Sequence, residues 1–222
     1  MSTRLAILAL ALAVVSTPPN PARGAPAEAG STRDLYLLLI RQARSDGRPR
    51  AALAYLDDFD RQHPDDLEAL VLRINCLLDL GQTAGARAVL ARVAPSARQG
   101  AVSAARGHVL AAENAWAEAA EQYAEALRAS PADPLIGNAL GYAQLRAGRP
   151  AQAVETLKSA RDLAPSNPVI RNNLLLALTM AGRGSEADTA IAAIAEPGAR
   201  ATLRRQIAEQ SARIWGAAGA RP

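Results

Sequence analysis

Residues suited to a left-handed backbone turn recur along this chain at a nearly constant interval. Gly47, Gly81, Asn114, Gly148 and Gly182 follow one another at steps of 34, 33, 34 and 34 residues. Glycine, with asparagine as its usual replacement, is what the position just past a helix end takes when the chain reverses there. Each of these residues is followed by three apolar positions spaced four and then three apart. The trios are Ala52, Leu56 and Phe59; Ala86, Leu90 and Val93; Ala119, Tyr123 and Ala126; Ala153, Leu157 and Ala160; and Ala187, Ile191 and Ile194. That spacing keeps each trio on one face of a helix. A two-helix unit of this length cannot bury its apolar face alone, so neighbouring units must stack. The chain is therefore expected to form an all-α solenoid rather than a globule around one central core.

Composition agrees with helix. Apolar residues make up 50% of the chain and aromatics only 3%, so the apolar content is mostly Ala and Leu, and strand-favouring residues are scarce. Pro49 and Pro150 stand where a first helical turn accepts proline, and Pro64, Pro131 and Pro165 close the second helices. Small residues such as Ala119, Gly141, Ala153 and Ala160 permit close helix approach, and Trp116 and Tyr123 read as packing residues. Cys76 is the sole cysteine, which excludes an intramolecular disulfide, and within "LVLRINCLLDL" it reads as a small buried hydrophobe.

Two consecutive units show the pattern most fully: "SAARGHVLAAENAWAEAAEQYAEALRASPADP" and "NALGYAQLRAGRPAQAVETLKSARDLAPSNP". Gly107 falls on Gly141, Ala119 on Ala153, Tyr123 on Leu157, Ala126 on Ala160 and Pro131 on Pro165. This resembles the tetratricopeptide repeat, two antiparallel helices per unit with a Leu-Gly, Ala, aromatic-or-Leu, Ala, Pro signature. The resemblance covers residues 33–201 as five helix-turn-helix units, 33–66, 67–99, 100–133, 134–167 and 168–201. The second unit departs from it by lacking the Leu-Gly pair and closing at Pro95, and the fifth carries Leu174-Leu175 and no final proline. Residues 202–222 are expected to supply a C-terminal capping helix anchored by Trp215, followed by a basic tail.

The chain opens with Arg4 and then eleven apolar residues, Leu5 to Val15, too few for the ~20 of a membrane-spanning helix and suited to a signal peptide. Residues 1–27 are read as that signal peptide, and 28–32 as a linker. Pro18, Pro19, Pro21 and Pro26 are expected to keep the stretch extended. Export to a bacterial periplasm follows, or anchoring in the inner membrane if the segment stays uncleaved. No cysteine follows the apolar run to accept lipoprotein acylation.

The net charge is +4, carried almost wholly by arginine since Lys158 is the only lysine. Arginines and acids alternate through most of the chain as on solvated helix faces, which argues against nucleic acid as a partner. After Ala199 the balance turns basic, with Arg200, Arg204, Arg205, Arg213 and Arg221 against Glu209. Catalysis has little to work with. His63 and His108 are the only histidines, no His, Cys and carboxylate spacing suits a metal, and no phosphate-binding loop or nucleophile elbow is present. Asp57, Asp58, Asp60, Asp65 and Asp66 cluster, yet successive surface acids do not face each other across a cleft. No cofactor, metal or small-molecule substrate is expected.

The resemblance implies that the first helix of each unit lines the concave side. Its inward positions are then Leu37, Arg41 and Arg44; Val71, Asn75 and Leu78; Ala101, Ala104, His108, Ala111 and Ala112; Leu135, Asn138, Tyr142, Leu145 and Arg146; and Val169, Asn172, Leu176, Thr179 and Met180. Asn75, Asn138, Tyr142, Arg146 and Asn172 are the candidate partner-binding residues, for an extended peptide or helix in the groove. Asparagine amides give a bound backbone both donor and acceptor, tyrosine adds contact area, and arginine pairs with carboxylates. Asn138 and Asn172 hold the same place in consecutive units and are expected to face one another. The lysines of the carboxylate clamp used by some family members are missing, so that specificity is not expected.

A weaker resemblance, to TadD-type proteins of tight-adherence (Flp) pilus assembly, rests on Arg171, Asn173, Leu174, Gly182 and Arg183. It implies a periplasmic scaffold for a pilus or secretion apparatus. An adaptor or regulatory subunit of an envelope enzyme complex and a self-associating structural protein are the alternatives.

Overall fold

The computed structural model describes residues 25–97 and 99–219. Ten helices pair into five hairpins: α1 (Ala25–Ser45) with α2 (Pro49–Asp60), α3 (Leu67–Asp79) with α4 (Thr83–Leu90), α5 (Gly100–Ala112) with α6 (Trp116–Ala129), α7 (Pro134–Arg146) with α8 (Pro150–Leu163), and α9 (Pro168–Met180) with α10 (Gly184–Ala192). An eleventh, α11 (Pro197–Gly219), follows the last hairpin. No strand occurs among the described residues. The fold is an all-α solenoid.

Each hairpin turns the same way. Gly47, Gly81, Gly148 and Gly182 have φ between 70° and 77°, and Asn114 has φ of 61°. The residue after each donates its N–H to the carbonyl five positions back, at 2.8–2.9 Å, for example Arg149 to Gln144 and Arg183 to Leu178. That bond satisfies a carbonyl the helix end would otherwise leave unpaired. The loops between hairpins start the next helix just as specifically. Asp66, Asp133 and Asn167 each accept backbone N–H groups of the first turn through their side chains, and Pro134 and Pro168 hold the following position.

Three of the apolar trios bury whole: Ala52, Leu56 and Phe59; Ala119, Tyr123 and Ala126; and Ala153, Leu157 and Ala160. In the other two Ala86, Val93, Ala187 and Ile191 bury, while Leu90 and Ile194 are half-buried. Two glycines exist to let a large side chain in. A Cβ on Gly141 would stand 2.5 Å from Leu157 Cγ, and one on Gly107 would stand 2.7 Å from the Tyr123 ring. The core is a chain of clusters rather than one centre. Successive clusters join α1, α2 and α3; α3, α4 and α5; α6 and α7; and finally α7 through α11. Cys76 is fully buried in the first of them, and burial pushes its thiol pKa up.

First helices of neighbouring hairpins pack directly on one another, α1 on α3, α3 on α5 and α7 on α9, whereas no two second helices come as close. The layer of first helices is thus the inner, concave side of the stack.

Three expectations are corrected. Residues 28–32 are helix rather than linker, because α1 begins at Ala25 and Pro26 falls in its first turn, where proline removes no helical bond. The closing helix starts at Pro197 instead of 202, since α10 stops at Ala192. Trp215 does not anchor it: the indole is 57% exposed, while Leu203, Ile207 and Ile214 bury. Leu203, Ile207 and Ile214 share one face at steps of four and seven, and Trp215 is a further 100° around the helix. The apolar run Leu5–Val15, on which the signal-peptide reading rests, lies outside the described residues. Among the described residues no helix is long and apolar enough to cross a membrane.

Candidate functional site

Tyr142 and Arg146 stand one turn apart on the inner face of α7. Trp116, the first residue of α6, meets the Tyr142 ring edge-on at 5.8 Å and 84°. The Arg146 guanidinium lies over the Trp116 ring, 4.2 Å from its centroid, and donates to Tyr142 Oη at 3.4 Å. A cation held over an indole face gains about 0.5–2 kcal/mol, the more so as water is excluded. Consecutive units thus build one aromatic platform with a positive charge on it.

A cavity of about 550 Å³ opens beside this platform. Its walls include Tyr142 and Arg146 from α7, Asn172 and Leu176 from α9, and Gln206, Gln210 and Arg213 from α11. The closing helix therefore walls the concave face, and Gln210 Nε2 lies 3.5 Å from Tyr142 Oη. Arg213 pairs with Glu209 of its own helix at 3.7 Å. Neither the α11 wall nor Trp116 was assigned to the site from the sequence. The signal for the wall was present in the placement of Gln206, Gln210 and Arg213 beside the stripe Leu203, Ile207, Ile214.

The two asparagines expected to face one another do not. Asn138 Oδ1 accepts from Asn173 Nδ2 at 2.9 Å, while Asn172 lines the cavity and accepts from Arg171 Nε at 3.3 Å. Arg33 with Glu68, Arg44 with Asp79 and Asn138 with Asn173 are all separated by 35 residues, one more than the repeat. Side chains of neighbouring helices interdigitate instead of meeting head-on, so a residue meets the neighbour of its equivalent.

Asn75 is likewise engaged within the fold, its Oδ1 3.1 Å from His108 Nδ1. The His108 ring packs against Tyr123 at 5.4 Å, and burial, reinforced by the charge of Arg44, holds its pKa below the ordinary histidine value. Several positions assigned to the groove are core instead: Leu37, Val71, Leu145 and Met180 are buried, and Leu176, though it borders the cavity, is 2% exposed. Arg146, Tyr142 and Asn172 are the candidates that the structure brings together at one cavity.

The acidic cluster is spent on structure. Arg73 bridges Asp57 and Asp60 at 2.7 and 3.0 Å, and Arg92 holds Asp65 at 2.7 Å. Asp66 caps α3 and pairs with Arg33 at 2.8 Å. Burial alone would raise the Asp66 pKa, but hydrogen bonds from Arg33 and the Ala69 N–H outweigh it and hold the carboxyl below its usual value. No group of three or more potential metal ligands occurs among the described residues.

A stack of helical hairpins with a polar and aromatic inner face defines a protein-interaction scaffold. The chain belongs to the tetratricopeptide repeat family, whose model matches residues 43–109 and 144–207, more than half of its length. Proteins of this family generally mediate protein–protein interactions. Among solved structures, the chain is similar to TTC0263, a thermophilic tetratricopeptide repeat protein of Thermus thermophilus, at 24% identity and a TM-score of 0.62, over 80% of this chain and 97% of that one. It is similar to Pseudomonas aeruginosa pilF at 17% identity and a TM-score of 0.65, covering 86% and 90%. It is similar to MamA of Desulfovibrio magneticus RS-1 at 22% identity and a TM-score of 0.58, covering 78% and 96%. At these identities the likeness is one of fold. No curated protein sequence matches the chain.

Proposed function

We propose that this chain is a non-catalytic scaffold, exported to the periplasm, that holds a segment of a partner protein on its concave face during assembly of a pilus or secretion apparatus. The observation that carries the reading is the cavity beside Tyr142, Arg146 and Asn172, where an aromatic platform, a cation and an amide from three consecutive units converge. Such a set offers a bound peptide contact area, backbone hydrogen bonds and a charge partner. Export is supported by the apolar run Leu5–Val15 behind Arg4. The pilus or secretion setting rests on the likeness at residues 171–183. Much of that likeness coincides with structural duty: Asn173 bonds Asn138, Leu174 is core, Gly182 makes the turn, and Arg183 pairs with Glu186.

The test is in vivo crosslinking and recovery from the envelope fraction, comparing the native chain with a Tyr142→Ala, Asn172→Ala double variant of unchanged helical content. Loss of a defined set of partners, pilus or secretion components among them, is the expected outcome. An unchanged set rejects the concave face as the binding surface. Self-association is the second reading, favoured by Leu35, Leu38 and Leu39, which form an exposed stripe on α1 among the described residues.

A further inference from the structure

Among the described residues the half-buried arginines donate to carboxylates or backbone carbonyls, with one exception. Among the described residues Arg33, Arg44, Arg73 and Arg183 pair with carboxylates. Arg106 donates to the carbonyls of Ala94 and Ala97, and Arg200 to that of Ala192. Arg146 has only the phenol oxygen of Tyr142, at 3.4 Å, and the faces of two aromatic rings. A half-buried guanidinium at a cavity wall without an anionic partner is an arrangement with unused hydrogen-bonding capacity. It is also one that leaves the Nε and Nη2 donors available, because stacking on Trp116 uses the face of the group and Tyr142 takes up only Nη1.

We infer that Arg146 is the acceptor for a glutamate or aspartate side chain carried by the protein segment bound on the concave face. The inference rests on the concave-face reading above and names its chemistry. Charge points the same way: the cavity wall holds Arg146 and Arg213 against one carboxylate, Glu209, already paired with Arg213. The remaining surroundings suit a peptide better than a free ion. The cavity borders Leu176, Ile207 and Ile214, which are largely buried and form its apolar floor, and Asn172, Gln206 and Gln210 offer amides to the backbone that bears the acidic side chain. A bidentate carboxylate on the Arg146 fork completes the hydrogen bonding that the fold leaves open.

The test uses the full-length chain and three probes: glutamate capped as its N-acetyl N-methylamide, glutamine capped the same way, and inorganic phosphate. Nuclear magnetic resonance follows the side-chain N–H of Arg146 and the indole N–H of Trp116, with the exposed Arg149 as internal reference. Capped glutamate is expected to shift Arg146 and Trp116 saturably, at a concentration about tenfold below that needed at Arg149. Arg146→Gln abolishes the Trp116 response, and Arg146→Lys, which keeps the charge but not the fork, weakens it. An equal response to capped glutamine, or saturation no earlier than at Arg149, overturns the inference. Phosphate matching glutamate also overturns it, since the site would then take inorganic anions. If capped glutamate fails while the Tyr142→Ala, Asn172→Ala variant still loses its partners, only the acidic anchor is wrong and the concave-face reading stands.

Discussion

At the N-terminal end of the inner face Arg33, Arg41 and Arg44 of α1 each meet a carboxylate of the next hairpin, Asp66, Glu68 and Asp79, whereas at the C-terminal end Arg146 of α7 meets an indole and a phenol. The contacts between neighbouring first helices differ in kind as well. They are charged at the N-terminal end and amide-to-amide, Asn138 with Asn173, at the other. The same architecture thus neutralises its charge at one end and leaves it open at the other. A cation that the fold has matched offers a partner little, because an existing pair must first be broken. On the reading proposed above, the unmatched one is where a partner's charge would stabilise the complex.

The apolar layer beneath should not share this asymmetry. Leu56 and Leu157 occupy equivalent places in the first and fourth second helices, and both are fully buried. Leu56→Ala and Leu157→Ala are expected to destabilise the chain alike, by about 2–5 kcal/mol each, measured by urea denaturation. A cost confined to one of them would show that the two ends differ in their cores as well as in their polar layer.

A smaller effect separates the polar layers themselves. Asn138→Ala leaves the Asn173 amide without its acceptor and is expected to cost about 1 kcal/mol, unchanged by salt. Arg44→Gln breaks a pair whose members are both more than a third exposed, so its cost is at most about 1 kcal/mol and disappears in about 1 M salt. If both variants respond to salt in the same way, the distinction between a charged and an amide-linked end fails.

The smallest effect lies between the two ends, at His108. Its folded pKa is below the ordinary histidine value of 6.5, so the stability it contributes is present in full above that pH and is lost as pH falls through the folded value. Melting temperature should therefore decline as pH drops below about 6.5, and His108→Gln should flatten that part of the profile. The same slope in the variant would assign the loss to other groups.

Much of the fold was legible from single residues. Gly148 and its equivalents mark turns because a left-handed backbone excludes most side chains, and Gly141 reads as a site of close helix approach, which the structure fills with Leu157. The site was legible only in part. Tyr142, Arg146 and Asn172 sit at one cavity, yet Asn138 and Asn75 are taken up inside the fold, and the α11 wall was not foreseen. An offset of one residue across a helix pair was enough to replace Asn172 by Asn173 as the partner of Asn138.

The sequence by itself determined the solenoid, its turns and the buried face of the second helices. Those follow from backbone sterics and from apolar spacing within a dozen residues, which are local properties. The tertiary structure alone decided which polar side chains meet across neighbouring helices, that Ile214 rather than Trp215 faces the core, and that Arg146 has no carboxylate within reach among the described residues. Those outcomes depend on how side chains interdigitate between helices some 35 residues apart in the chain, where one step along a helix turns a residue by about 100° and exchanges one neighbour for another.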